Sequence, residues 1–216
     1  LEGIREVSLD QTAGKVVVVW LETGGRAAAF EADGRTPIAA IARLLKDGVA
    51  VLVPDVFLTG ATGPAARTRV KNEETYAGFN LGYNPSIFAN RVSDALTVIA
   101  FAQQRASAVQ LVGVGQAGVW ALAARALAGP AVLRAAVTVD GFDFNGVTRL
   151  DDEMLQPGAL RYGGVLGFAS LCETGQTRVA GLSARPVAPW APRPQSVTVE
   201  SASASREDLA AWVLRK

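Results

Sequence analysis

Six residues, Gly113-Val114-Gly115-Gln116-Ala117-Gly118, follow an apolar run and open an Ala-rich one. Glycines at the first, third and sixth positions of such a turn let the backbone approach a pyrophosphate held at a helix N-terminus. Asp140 ends the next apolar run, where a carboxylate can accept from a ribose hydroxyl. Earlier in the chain, Thr23, Gly24 and Gly25 follow another apolar run and make a loop. What is missing is as informative. The 216 residues contain no histidine, the usual general base near neutral pH and the commonest metal ligand. Any nucleophile would have to find another base. The single cysteine, Cys172, excludes an intrachain disulfide and a multi-cysteine metal site. With Leu171 beside it and no imidazole to activate it, Cys172 reads as a buried structural thiol.

Other polar residues carry weaker signals. Gln116 stands in the first helical turn beside the presumed pocket, and a bond to nearby backbone is favoured over ligand binding. Asp140, Asp143 and Asn145 cluster after a strand and could hold a hard cation with oxygen ligands. Turn residues satisfying their own backbone are the favoured reading, and no metal and no cofactor is expected. Asp151, Asp152 and Glu153 read as a solvated loop or helix start. Trp190, set among prolines, reads either as a contact surface or as core.

The elements that must position these residues alternate. Val16 to Leu21 form a continuous apolar run that suits a strand buried on both faces. Thr36 and Pro37 open a helix with Ile38, Ile41, Leu44 and Leu45 on one face, ended by Gly48. Val49 to Val53 make a second strand, which Pro54 and Asp55 leave. Residues 59–80, with a charged stretch from Arg67 to Glu74, read as a surface excursion. Asn84 then caps, and Pro85 starts, a long helix to about Gln104, with Phe88, Val92, Leu96 and Ile99 buried. Strands follow at 109–114 and 135–139, with the glycine turn and a helix to Leu127 between them. From Asp140 to Ser196 glycines and prolines break the pattern. Val197 to Val199 give a last strand, and Leu209, Trp212 and Val213 a final helix, with Ser205 and Asp208 at capping-box spacing.

This alternation predicts a three-layer α/β/α sandwich around a mostly parallel sheet. The dinucleotide reading of the glycine turn meets a difficulty of context, because that fingerprint opens its domain and here two strands and two helices come first. The second reading places a tight strand-to-helix turn of the G-x-S-x-G kind at the same residues. Gly113 takes the first glycine position, Gly115 the serine position and Ala117 the second glycine. The order from about residue 15 to 140 resembles that of α/β-hydrolases. More narrowly, Tyr83-Asn84 through the glycine turn to Val119-Trp120-Ala121-Leu122 resembles the degenerate domains of acetyl-xylan-esterase-like proteins. The resemblance implies a vestigial pocket at Thr23, Gly24, Gly25, Gly115, Gln116 and Asp140, no catalytic residue, and the loop 200–205 where the family carries its histidine. It assigns no residue to the acid position.

The resemblance therefore implies a non-catalytic domain that supports, or binds, a partner domain or a carbohydrate-like ligand. An unorthodox carboxylic-ester hydrolase and a dinucleotide-binding oxidoreductase are the alternatives. The partners expected are an adjacent esterase domain, a second copy of the chain or a small molecule. A formal net charge of +1 gives no field that favours nucleic acid. No stretch of about 18 apolar residues predicts a membrane span, and a soluble domain over 1–216 is expected. The chain opens on Leu1 with no basic and apolar leader, and is expected to be part of a longer protein.

Overall fold

The computed structural model describes residues 15–63, 81–184 and 186–215. The charged stretch from Arg67 to Glu74 lies outside them. Six strands form one sheet: β1 (Val16–Glu22), β2 (Ala50–Leu52), β3 (Ala108–Val114), β4 (Arg134–Thr138), β5 (Gln176–Ala180) and β6 (Val197–Val199). The order across the sheet is β2-β1-β3-β4-β5-β6, and every pair is parallel. The main helices among the described residues are α1 (Ala39–Lys46), α2 (Ile87–Gln103), α3 (Gln116–Ala128) and α4 (Gly164–Ser170), which lie between strands, and α5 (Arg206–Val213), which follows β6.

Strand β1 shows why its run is apolar throughout. Val17, Val19 and Leu21 join the core under α2, α3 and α4, with Phe88, Ile99 and Leu122. Val18 and Trp20 point the other way and pack with Ile41 and Leu44 of α1 and Leu209 and Val213 of α5. Alternate side chains of a strand face opposite layers, so a sheet covered on both sides needs both sets apolar. The result is the expected three-layer α/β/α sandwich.

Several boundaries differ from the sequence expectation. Ser86, and not Asn84, caps α2: it is extended (φ −61°, ψ 161°), its Oγ accepts from the Ala89 backbone N–H at 3.1 Å, and the helix starts at Ile87 and not at Pro85. Helix α1 starts at Ala39 without a side-chain cap. Thr36 is instead taken into a turn by Asp33, and Pro37 bridges to Phe30. Leu45 lies at the edge of the α1 stripe and is 47% exposed. Strand β5 and helix α4 arise where the pattern had looked broken. In β5, Thr177 and Val179 are buried while Arg178 forks onto Glu200 at 3.1 and 2.8 Å. The capping box of α5 forms as expected, with Ser205 and Asp208 exchanging bonds of 3.1 and 3.2 Å.

Two buried arginines fasten the connections. Arg91 of α2 donates to the carbonyls of Phe57 and Leu58 and to Glu153 at 2.6 Å, and its guanidinium lies 4.6 Å from the Trp120 ring centroid. Arg125 of α3 donates to the carbonyls of Gly129 and Thr174. The acidic run is thus less solvated than expected. Glu153 pairs with Arg91, Asp151 with Arg149, and Asp152 accepts from the Met154 N–H. Trp190 is 58% exposed, with one ring edge over Gly167 of α4.

Helix α3 sits unusually close to the sheet. A Cβ on Gly118 would lie 2.1 Å from the Thr138 carbonyl oxygen, and one on Gly113 would lie 2.6 Å from the Ala121 Cβ. Neither neighbour can yield without moving backbone. Gly118→Ala should therefore lower the unfolding free energy by about 1–3 kcal/mol, the usual cost of overpacking, measured as a fall in the urea midpoint at unchanged slope.

Candidate functional site

In this strand order the chain leaves β1 toward β2 on one side and returns to β3 on the other. Ligands of open parallel sheets bind outside the carboxyl ends of the strands at such a switch point. The last register pair of β1 and β3 is Glu22 opposite Val114. The residues that follow, Thr23 and Gly115, therefore emerge side by side at the floor of that crevice.

Gly115 has φ 66° and ψ −134°, a conformation that side chains resist. This reverses the chain from strand to helix within one residue. A Cβ placed there would stand 2.9 Å from Thr23 Oγ1 and 3.5 Å from Asp140 Oδ2. The Thr23 hydroxyl thus fills the space into which a residue at 115 would project. It is fixed there, donating to the Val114 carbonyl at 3.0 Å and accepting from the Ala117 N–H at 3.3 Å. The Gln116 N–H has no acceptor among the described residues, and it points from the first turn of α3, where helix donors are unsatisfied and the dipole favours negative charge. The Gln116 side chain is exposed.

Asp140 has φ 46°, a left-handed conformation that Asp tolerates better than most residues. Its carboxylate accepts from Thr138 Oγ1 at 2.7 Å. Gly181, after β5, brings three groups together: a Cβ on it would lie 2.9 Å from both the Asp140 N and Ser203 Oγ, and 3.1 Å from Thr138 Oγ1. Ser203 belongs to the loop 200–205. Asp143 stands apart. It accepts from the Asn145 backbone and side chain at 2.9 Å and from Ser183 at 3.2 Å, as a turn residue does. No group of three or more His, Cys, Asp or Glu side chains among the described residues is placed to hold a metal ion.

Not every expected residue reaches the crevice floor. Gly25 packs away from it, against Asp55 and Gly60: a Cβ there would lie 2.4 Å from Asp55 Oδ1. Asp55 accepts from the Arg26 N–H at 2.6 Å and the Ala61 N–H at 3.3 Å, tying the loops after β1 and β2. Gly24 is exposed and its neighbour is Ala28. Sequence reading also passed over an ion pair at the site. Glu22 is buried, accepts from Trp20 Nε1 at 2.9 Å and holds Arg206 in a fork of 2.7 and 2.9 Å. That bond to Glu22 holds the Arg206 guanidinium above its ordinary pKa, with smaller contributions from Glu207 and Asp140. The crevice thus combines hydroxyls, the backbone N–H of Gln116, a carboxylate and a paired arginine. It can hydrogen-bond a polar ligand. It offers no side chain at 115 to attack one.

The parallel six-stranded sheet with helices on both faces is consistent with a three-layer, α/β-hydrolase-like fold. No protein-family model matches the sequence, and no curated protein matches it. Among solved structures, Est1E from Butyrivibrio proteoclasticus with bound ferulic acid is 12% identical, with a TM-score of 0.49 over 78% of this chain and 69% of that one. RedJ with a polyethylene glycol molecule in its active site is 17% identical, with a TM-score of 0.42 over 94% and 90%. Prolyl oligopeptidase B from Galerina marginata is 13% identical, with a TM-score of 0.46 over 91% of this chain and 31% of that one.

Cys172 is buried, as expected, and burial pushes its thiol up to about 11, partly opposed by the nearby Arg125 charge. The folded pKa lies above the ordinary 9.0. Stability linked to this thiol is therefore complete below pH 9 and is lost as pH rises toward 11. The native chain should resist an aromatic disulfide reagent at pH 8 and react once unfolded in urea. At the turn, Gly115→Ala should cost about 1–3 kcal/mol through backbone strain and the contact with Thr23, and Thr23→Ala in the same chain should recover part of it in chemical denaturation.

Proposed function

We propose that this chain is a non-catalytic α/β-hydrolase-fold domain whose role is structural or is the binding of a partner domain or a carbohydrate-like ligand within an esterase-like protein. One observation supports this most: the turn that would carry a nucleophile carries Gly115, and the Thr23 hydroxyl occupies the space above it. The sequence holds no histidine to act as base, and Ser203 lies in the loop where the family keeps one. With neither nucleophile nor base, the crevice can bind a carbonyl or hydroxyl without turning it over. Its exposed hydroxyls and amides suit a neutral, hydroxyl-rich molecule. Its carboxylate does not suit an anion.

The dinucleotide reading finds less support. Asp140 Oδ2 stands 3.5 Å from the position of a Cβ on Gly115, so a carboxylate already faces the turn where a pyrophosphate would sit. The Ala117 N–H, one of the donors that would receive it, is taken by Thr23.

The purified chain, assayed on short-chain aryl esters beside a heat-denatured control, should show no turnover above that control. Gly115→Ser should show none either, since the new side chain would meet Thr23 and find no base. Turnover by the unaltered chain that is abolished by Asp140→Asn or Thr23→Val would overturn the proposal.

A further inference from the structure

A row of polar side chains interrupts the apolar sheet face under α1 and α5. On that face β3 presents Val112 and Val114 and β4 presents Ala136, all buried. Two residues nearer the N-terminal ends, and so on the same face, stand Gln110 and Arg134. They are in register, and Gln176 of β5 is in register with Arg134. These three residues, with Asp47, Val49 and Val213, line a groove of about 640 Å³. It lies at the opposite ends of the strands from Gly115. Its volume is within the range of small-molecule sites, roughly 300–1,000 Å³.

Two polar atoms here have no partner among the described residues. Gln110 is 8% exposed and its Oε1 is unbonded, as is the buried Nε of Arg134. The rest of Arg134 is held. Its guanidinium stacks 4.4 Å from the Trp212 ring centroid, and Nη1 donates to the Arg215 carbonyl. This fixes the plane of the fork and leaves its buried Nε without a partner at the groove. Burial, and then the neighbouring Arg215 charge, lower the pKa of this guanidinium, so an anion beside it would be welcome. A planar fork of donors matches a carboxylate in two-point contact. An unbonded amide oxygen on the adjacent strand wants an N–H or O–H. The groove's apolar walls want hydrocarbon.

We propose that this groove is a separate ligand site for a small organic acid, with its carboxylate on the Nε edge of Arg134, an N–H or O–H beside it donated to Gln110 Oε1, and an apolar remainder against Val49 and Val213. The site does not depend on the reading of the crevice at Gly115.

N-benzoylglycinate carries all three features and serves as the probe, with benzoate and 4-hydroxybenzoate as further acids and N-benzoylglycinamide as the uncharged control. Titration of the whole chain by calorimetry should show saturable 1:1 binding of at least one acid and none of the amide. Arg134→Gln should weaken it at least tenfold. Gln110→Leu, an apolar exchange that removes the unbonded oxygen and should leave the fold intact, should weaken the N-benzoylglycinate complex more than that of benzoate. If none of the acids binds at millimolar concentration, or if binding survives both substitutions, the polar row holds no ligand and the proposal fails.

Discussion

Helix α3 can lie against the sheet only because its contact residues have no side chains to hold it off. Gly113 on β3 and Gly118 on α3 meet almost backbone to backbone, and the Thr138 carbonyl of β4 abuts the same spot. That approach sets how sharply the chain must turn between Val114 and Gln116, and the turn demands the positive φ that Gly115 supplies. The first helical amides then point into the crevice, and the ends of β1 and β4 are brought to the same place. A larger residue at 113 or 118 would push α3 outward and scatter the groups gathered there.

The crevice is held from several sides at once. Thr23 bonds to both Val114 and Ala117 and so ties the end of β1 across the turn. Glu22, one residue earlier, reaches Arg206 at the start of α5. Removing one partner of a pair with a buried carboxylate is costly, so this fork fixes where α5 begins and where the preceding loop, with Ser203, must run. The positions around the turn are therefore occupied by structural bonds. A site arranged in this way can bind, but the group nearest the empty-handed Gly115 is a hydroxyl already committed as donor and acceptor.

The layers, and the strands β1, β3 and β4, were legible because two-sided burial requires long apolar runs. Helix α3 and the turn were legible from their glycines. Strand β5 was not, since Gln176, Thr177 and Arg178 look like loop until Arg178 is seen to pair with Glu200. Of the site, Thr23, Gly115 and Asp140 could be found because each lies within two residues of a strand's end, and parallel strands deliver their next residues to one edge. Gly25 could not be separated from them, since only the position of Asp55 shows that it faces another loop. Glu22 and Arg206 are far apart in the chain, and no local pattern marks them as a pair. Asn84 and Ser86 both suit a cap, and only the backbone path after Pro85 decides between them.

The central claim is that no activated nucleophile stands at the turn between β3 and α3. The direct measurement is the intact mass of the native chain after prolonged exposure to a fluorophosphonate, which esterifies activated hydroxyls. The account predicts an unchanged mass. A stoichiometric adduct that maps to Thr23 or Ser203, and that is lost when the chain is unfolded beforehand, would contradict it.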